Sequence, residues 1–299
     1  MRAYTAANLP CLRSLGTVNP TVAGCEHGCI YCYSNKHGEF RVKEGLPETM
    51  KRQLERDRDP PDRMYFSTAC DAFQPDDRVQ TATHGAMLQA LEAGKEIGIL
   101  TKGIIREDTF ALLAKTPERV FVQVGLITVD PAIAKLVEPG APAPAQRLDQ
   151  MKRLIAAGIR TGARIDPILP GLTDSREALT DLFAALHDVG IPYAAVSYLF
   201  LRPGIRRSMA ARGDRAIDAV LREYEGDCGI TRKLGCGSEM LCMATETRET
   251  KYKLVKEIAA AHGVAITICG CKNGDIEESS CCEIAGPRGL GAKRKIIDH

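Results

Sequence analysis

The 299-residue sequence contains no tryptophan and few other aromatic side chains, 8 Tyr and 7 Phe. It has no excess of either charge, since 40 Lys and Arg oppose 38 Asp and Glu, and a net charge of +2 provides no long-range field to gather a phosphate backbone. No apolar run reaches the roughly 18 residues of a membrane span, and residues 1–16 lack the apolar core of a signal peptide. We therefore expect a cytoplasmic protein with no membrane segment and no strongly basic nucleic-acid-binding surface.

The hydrophobic (44%) and charged (26%) fractions are those of an ordinary globular protein, which excludes a disordered, collagen-like or coiled-coil chain. Short apolar runs predict six strands, at residues 17–23, 64–68, 97–101, 120–128, 160–168 and 193–201. Between them, apolar residues spaced i, i+3, i+4 predict amphipathic helices, notably at 82–93, 145–157 and 176–189. This alternation predicts a parallel sheet, and six units are too few for an eight-fold barrel. We expect an α/β fold, either an incomplete barrel or an open sheet, with its chemistry at the carboxyl ends of the strands.

Composition divides the chain into three parts. Residues 1–224 form the expected α/β domain, with a Pro- and Gly-rich loop at 137–145 after the fourth strand. Cysteines become dense in residues 225–285, where a helix at 249–261 and a strand at 264–268 predict a second, smaller unit. Residues 286–299, GPRGLGAKRKIIDH, are predicted to form a Gly-rich basic tail.

Twelve cysteines are the outstanding feature, because thiols in a reducing compartment are more often metal ligands or catalysts than disulfides. Cys25, Cys29 and Cys32 follow the first strand in a C-x3-C-x2-C spacing. A structural zinc site needs four ligands and no fourth is offered locally, whereas a 4Fe–4S cluster held by three cysteines keeps one iron open for a second molecule. The spacing favours a reactive cluster, and a zinc site completed by His27 or His37 is the alternative.

The segment CEHGCIYCY resembles the C-x3-C-x-aromatic-C motif of the radical S-adenosylmethionine (radical SAM) superfamily, with Tyr31 at the aromatic position. The resemblance extends to the branch with spore photoproduct lyase and DNA repair photolyase-like proteins through NPTVAGCEHGCIYCY, STACDAFQPDD, ILTKGIIRED, VEPGAPAPAQRL and DPILPGLTD. It implies a partial (β/α)6 barrel. It also implies that an open iron binds S-adenosylmethionine, that one electron breaks a C–S bond, and that a 5′-deoxyadenosyl radical takes hydrogen from a substrate in the barrel.

On this resemblance, residues at strand ends would hold S-adenosylmethionine. Asp71 and Ser67, after the second strand, offer acceptors for its ammonium group, with turn formation and helix capping as the alternative. Lys102, at the end of the third strand, matches the lysine that pairs with the methionine carboxylate. Relatives tend to carry a serine near the ribose on the fourth strand, where this chain has Gln123 and Gly125, so Gln123 is the candidate ribose contact.

Further candidate site residues are Arg164, Tyr31 and Cys70. Arg164 and Asp166 end the fifth strand and are expected at the barrel mouth, with Arg164 as a cofactor contact or simply paired with Asp166. Tyr31 is a candidate cofactor contact by stacking, with packing as the alternative. Cys70 is a candidate hydrogen donor to a product radical, since the lyase uses a cysteine on this strand. Thr68 rather than Cys70 aligns with that donor, and a buried apolar role for Cys70 is the alternative.

Seven cysteines lie between residues 228 and 282, more than packing requires, and predict a second metal site. An auxiliary iron–sulfur cluster fits best, and zinc is the alternative because sulfur-rich sites suit both metals. The assigned ligands are Cys269, Cys271, Cys281 and Cys242, with Cys236 and Cys282 as alternatives for the fourth.

We expect a radical SAM enzyme, a lyase or a transferase, that acts on a small metabolite or a peptide-linked group and receives electrons from a flavodoxin- or ferredoxin-like protein. The near-neutral charge supports such a substrate. One alternative is nucleic-acid lesion repair or base modification, and the other is a non-catalytic metal-carrying interaction protein. The arginines that motivate the nucleic-acid alternative are Arg202, Arg206, Arg207, Arg212 and Arg215.

Overall fold

The computed structural model describes residues 2–6, 12, 14–33, 40–233 and 239–280. The strands are β1 (Tyr4–Thr5), β2 (Gly16–Val18), β3 (Arg63–Phe66), β4 (Glu96–Thr101), β5 (Val120–Gly125), β6 (Arg160–Ile168), β7 (Tyr193–Tyr198), β8 (Gly229–Lys233), β9 (Glu239–Met243) and β10 (Ala265–Ile268). The helices are α1 (Leu46–Arg56), α2 (Asp77–Glu92), α3 (Glu107–Leu113), α4 (Pro131–Val137), α5 (Pro144–Ala156), α6 (Arg176–Asp188), α7 (Pro203–Ala210), α8 (Arg215–Arg222) and α9 (Thr245–Ala261).

One sheet organises the molecule. Strands β2 to β7 lie side by side in chain order and are parallel to one another. Strand β1 pairs antiparallel with β2 at one edge, β10 pairs parallel with β7 at the other, and β8 and β9 form a separate hairpin. The α/β fold with six successive parallel strands is therefore confirmed. Because these strands share one direction, their carboxyl ends and the following loops gather at the same edge.

The observed elements differ from the predicted ones where side chains intervene. Strand β2 ends at Val18 rather than at residue 23, and the side-chain amide of the next residue, Asn19, donates to Thr68 Oγ1 over 2.8 Å. Helix α2 begins at Asp77 rather than at residue 82, because the carboxylate of Asp76 caps its first backbone N–H groups. The first turn of α2 is polar, so the apolar periodicity shows only its later part.

The strand expected at residues 264–268 joins the main sheet. As β10 it pairs with β7, with Ile268 opposite Val196, while helix α9 packs against α6. The last helix and strand assigned to the smaller unit therefore extend the α/β sheet, and the division of the chain at residue 224 stays a prediction. The loop expected at 137–145 lies between α4 and α5, and the basic tail at 286–299 lies outside the described residues.

The core lies on both sides of the sheet. Along β5, Val120, Val122 and Val124 are fully buried in the main apolar cluster, while Phe121 stacks on Tyr193 with ring centroids 6.0 Å apart. This alternation places the valines on one face of the sheet and Phe121 on the other. No helix in the described part of the chain is both long and apolar enough to cross a membrane.

Candidate functional site

A cavity of about 590 Å³ opens at the carboxyl ends of the strands, a size typical of small-molecule sites. Its walls come from strand ends, from the loops that follow them, and from the segment after β10. The predicted site residues that line it are Cys25, Cys29, Tyr31, Cys32, Ser67, Cys70, Asp71, Lys102 and Cys271. The structure thus brings most of the N-terminal candidates together.

The three N-terminal cysteines lie in a loop, residues 25–33, that we name the thiol loop. The Cys32 amide donates to Cys29 O over 3.1 Å, and Gly28 adopts a φ of +60°, a conformation that favours glycine. Burial raises the pKa of the Cys25 and Cys29 thiols to about 12, so a metal that binds them must displace protons. Three thiols at one cavity wall suit the three-cysteine iron–sulfur cluster that the spacing predicts.

His27 was one candidate for the fourth ligand of an alternative zinc site. Its ring points elsewhere, because Nδ1 lies 3.2 Å from Gly140 O and Nε2 lies 3.2 Å from Asp71 Oδ2. His37, the other candidate, lies outside the described residues. No three Cys, His, Asp or Glu side chains in the described ranges are arranged around a single metal ion. The orientation of His27 therefore favours the cluster over a zinc site that uses this histidine.

The thiol loop is fixed against residues 137–140, which begin at the end of α4. The Ile30 amide donates to Val137 O over 3.0 Å, and the Gly140 amide donates to His27 O over 2.9 Å. A Cβ at Gly140 would lie 2.2 Å from the backbone oxygen of Glu26, so only glycine permits this approach. Backbone contacts thus position the loop independently of a bound metal.

A buried charged group lies behind the thiol loop. Tyr31 Oη donates to Glu138 Oε1, and Arg147 Nη1 lies 2.6 Å from Glu138 Oε2, with both charged side chains 1% exposed. Lys102 Nζ lies 3.9 Å from the same carboxylate and 5.6 Å from the centre of the Tyr31 ring. Sequence reasoning assigned Glu138 and Arg147 no role. The available signal was VEPGAPAPAQRL, which contains both residues and is one of the segments on which the resemblance to the radical SAM superfamily rests.

Asp71 is saturated by donors of the protein itself. Its Oδ1 accepts from Thr101 Oγ1 over 2.6 Å and from the Phe73 amide over 2.9 Å. Its Oδ2 accepts from the Lys102 amide over 2.7 Å and also contacts His27. Burial alone would raise the pKa of Asp71, but His27 and these hydrogen bonds lower it. Since a carboxylate offers about four acceptor sites, this geometry favours the turn-forming role over binding of an ammonium group.

Ser67 and Cys70 follow β3 at the cavity wall. Ser67 adopts a φ of +73°, and its Oγ accepts from the Ala72 amide over 2.9 Å, so it shapes the turn out of the strand. Cys70 is 6% exposed, and burial raises the pKa of its thiol, so the S–H bond persists at neutral pH. Thr68, the residue aligned with the lyase donor, lines the same cavity but accepts a hydrogen bond from Asn19.

Lys102 follows β4 and keeps its charge. Burial alone would lower its pKa, but electrostatic interactions with the neighbouring Cys29 and Glu138 raise it. A Cβ at Gly125 would lie 2.9 Å from Lys102 Cγ, so glycine on the neighbouring strand leaves room for this side chain. A cation is thus held at the cavity wall beside the thiol loop, as the predicted carboxylate contact requires.

Two predicted cofactor contacts do not line the cavity. Gln123 is fully buried in β5, and its amide lies 3.4 Å from the hydroxyl of Tyr193. Arg164 is buried between Asp166 Oδ2, at 2.6 Å, and Cys269 Sγ, at 3.8 Å. The expected ion pair with Asp166 is present, and the structure brings Arg164 to the C-terminal cysteines rather than to the thiol loop.

The C-terminal cysteines are only partly brought together. Cys271 lines the cavity and Cys269 is buried beside Arg164, whereas Cys242 packs in a separate apolar cluster with Phe200 and Met240. The candidates that lie outside the described residues are Cys236, Cys281 and Cys282.

Buried polar contacts fix the segment that carries Cys269 and Cys271. Asn273 Nδ2 donates to Cys269 O over 3.0 Å, and Arg248 Nη1 donates to Asn273 Oδ1 over 2.7 Å. Lys272 Nζ lies 2.6 Å from Asp166 Oδ1. The segment is therefore tied both to α9 and to β6.

Fold and site together define an α/β protein with the donor set of an iron–sulfur cluster at the mouth of a parallel sheet. Residues 19–201 match the Radical SAM superfamily, and the chain belongs to this family. Membership implies an enzyme that uses a 4Fe–4S cluster, S-adenosylmethionine and an electron donor. The suspected family is thereby confirmed.

The chain is 28% identical over 198 residues to an uncharacterized protein of Mycobacterium tuberculosis, covering 61% of this chain and 58% of that protein. It is 25% identical over 197 residues to a radical SAM Nα-GlyT isomerase of Pseudomonas phage M6, covering 64% of this chain and 40% of the isomerase. The chain thus spans little more than half the length of the first relative. A variant of spore photoproduct lyase has a similar fold, with a TM-score of 0.61, 14% identity, and coverage of 89% of this chain and 79% of the lyase.

Proposed function

We propose that this chain cleaves S-adenosylmethionine reductively and takes a hydrogen atom from a small metabolite or a peptide-linked group, as a lyase or a transferase. When bound, the cluster and S-adenosylmethionine supply one-electron cleavage of a C–S bond, which yields methionine and a 5′-deoxyadenosyl radical. The observation that carries the proposal is one shared cavity, lined by the thiol loop, by Lys102 and by Cys70. A flavodoxin- or ferredoxin-like protein is the proposed electron donor.

The residues around the cavity would bind S-adenosylmethionine and shield the radical. Lys102 would hold the methionine carboxylate, because it is the cation beside Cys29. Leu199, Phe200 and Met240 line the cavity and would exclude water and stray hydrogen donors. Cys70, which keeps its S–H bond, would give hydrogen to a product radical, and the thiyl radical left behind would then take one electron from the donor protein and a proton.

We also propose that Cys269 and Cys271, with Cys281, hold an auxiliary iron–sulfur cluster, and zinc is the alternative. The support is that Cys271 lines the same cavity as the thiol loop, which suits a site next to the substrate. The position of Cys242 among apolar side chains favours Cys236 or Cys282 over Cys242 as the fourth ligand. An iron count separates one cluster from two.

The decisive experiment is anaerobic reconstitution with iron and sulfide, followed by reduction with dithionite in the presence of S-adenosylmethionine. We expect 5′-deoxyadenosine and about eight irons per chain, whereas about four irons would leave the C-terminal cysteines to zinc or redox roles. Cys29→Ala should abolish cleavage. Cys228→Ala, which removes an exposed thiol, is the matched control and should cleave normally.

Two outcomes would contradict the proposal. Cleavage retained in Cys29→Ala would show that the thiol loop does not hold the reactive cluster. An intact cluster that yields no 5′-deoxyadenosine with a range of candidate substrates would favour a non-catalytic metal-carrying protein.

A further inference from the structure

Three Lys and Arg side chains line the cavity, and they differ in their partners. Lys102 lies 3.9 Å from Glu138, and Lys272 lies 2.6 Å from Asp166. Arg202 has no carboxylate within the 4.0 Å of an ion pair among the residues that the structure describes. One cavity cation therefore carries a charge that the described residues do not compensate.

Arg202 is held at the rim of the cavity. It precedes α7, and its guanidinium lies over the ring of Tyr33, 5.0 Å from the centroid, while Tyr33 Oη donates to Thr68 O over 2.6 Å. Thr68 follows β3 and Arg202 follows β7, two strands that would lie about 19 Å apart in a flat sheet at ~4.8 Å per strand. The contact therefore crosses the cavity mouth.

This geometry suits recognition of an anion. Stacking on an aromatic ring uses the face of a guanidinium and leaves its N–H edge available for a carboxylate or a phosphate. The cavity wall next to Arg202 is apolar, with Phe200, Ile205 and Met240 among the lining residues. An ion pair formed in such surroundings is screened less than one on the open surface.

We propose that Arg202 binds an anionic group of the substrate, and that the part of the substrate next to this group is apolar. The inference rests on the proposed function, because it takes the cavity to be the substrate site. It narrows the substrate to a small organic acid or phosphate monoester and makes Arg202 a specificity-determining residue.

A matched series of probes tests the inference without turnover. The reconstituted protein, with S-adenosylmethionine bound and no reductant, is titrated by calorimetry with hexanoate, hexyl phosphate and 1-hexanol, which share one apolar chain. We expect one saturable site with at least tenfold tighter binding of an anion than of hexanol. The tighter of the two anions identifies a carboxylate or a phosphate as the natural group.

Variants test whether Arg202 forms the anion-binding site. Arg202→Gln should remove the tenfold preference, and Arg202→Lys should keep part of it, because the charge stays while the two-pronged geometry is lost. Arg207→Gln, which removes an exposed arginine of the following helix α7 outside the cavity, is the control and should bind like the wild type. Circular dichroism of each variant verifies that it is folded.

Several results would overturn the inference. The first is equal binding of hexanol and both anions, and the second is loss of the anion preference in Arg207→Gln as well. The third is weaker S-adenosylmethionine binding in Arg202→Gln, which would assign Arg202 to the cofactor. Binding of a single-stranded oligonucleotide that depends on Arg202 and falls steeply with salt would favour the nucleic-acid alternative. If the probes bind as expected but no 5′-deoxyadenosine forms in the separate cleavage assay, the proposed function fails and the anion site stands.

Discussion

Replacing Glu138 by Gln tests whether the charged group behind the thiol loop stabilises the protein. The Glu138 and Arg147 side chains are each 1% exposed, and their closest atoms are 2.6 Å apart. Removing one partner of a buried ion pair costs about 3–5 kcal/mol, because the other charge stays buried without a counter-charge. Arg147 keeps two carbonyl acceptors, at 2.8 and 2.9 Å. We therefore expect the lower end of that range, about 3 kcal/mol.

The measurement is urea unfolding of the cluster-free protein, followed by circular dichroism because the chain has no tryptophan to report by fluorescence. Glu107→Gln is the matched control. Its carboxylate lies 2.7 Å from Arg153, but the two side chains are 75% and 40% exposed, so the loss should be at most about 1 kcal/mol.

A loss in Glu138→Gln as small as that in Glu107→Gln would refute the reasoning. A second comparison combines Glu138→Leu with Arg147→Met. Apolar side chains of similar volume often replace a buried ion pair without net loss, so this pair should be more stable than Glu138→Gln alone. A double variant that is less stable than the single one would indicate that the group acts through its hydrogen bonds rather than through charge.

Three further predictions concern single positions. Gly125→Ala should displace the Lys102 side chain, because the new Cβ would lie 2.9 Å from Lys102 Cγ. S-adenosylmethionine should then bind more weakly in equilibrium dialysis, and an unchanged affinity would remove Lys102 from the site. Gly103→Ala should lower the free energy of unfolding in urea by more than about 3 kcal/mol, since its Cβ would lie 1.9 Å from the Phe73 carbonyl oxygen. A loss below about 1 kcal/mol would contradict the close approach of the Gly103 and Phe73 backbones. Burial alone would raise the pKa of Asp166, but Lys272 and Arg164 lower it to about 2. Its stabilising contribution should therefore be complete above about pH 4 and lost as the pH falls toward 2, and Asp166→Asn should flatten the pH dependence of unfolding over that interval.

Features that depend on near neighbours in the chain were predictable. The spacing of Cys25, Cys29 and Cys32 predicted that the three thiols lie together on one loop, and they line the same cavity. Apolar runs and helical periodicity located the six parallel strands and most of the helices between them. Lys102 was placed correctly at the cavity because it ends a strand, and parallel strands bring their carboxyl ends to one edge.

Features that depend on distant partners were decided only by the tertiary structure. Tyr31 and Glu138 are 107 positions apart, and Asp166 and Lys272 are 106 apart, yet each pair is in contact. The sequence suggested that Asp71 could bind a ligand, but in the folded chain its carboxylate accepts hydrogen bonds from Thr101 and from the Lys102 backbone. The pairing of β10 with β7 in the main sheet likewise became visible only in the tertiary structure. Burial makes these pairings obligatory, since a charged or backbone group removed from water must find a partner, but spacing along the chain does not show which one.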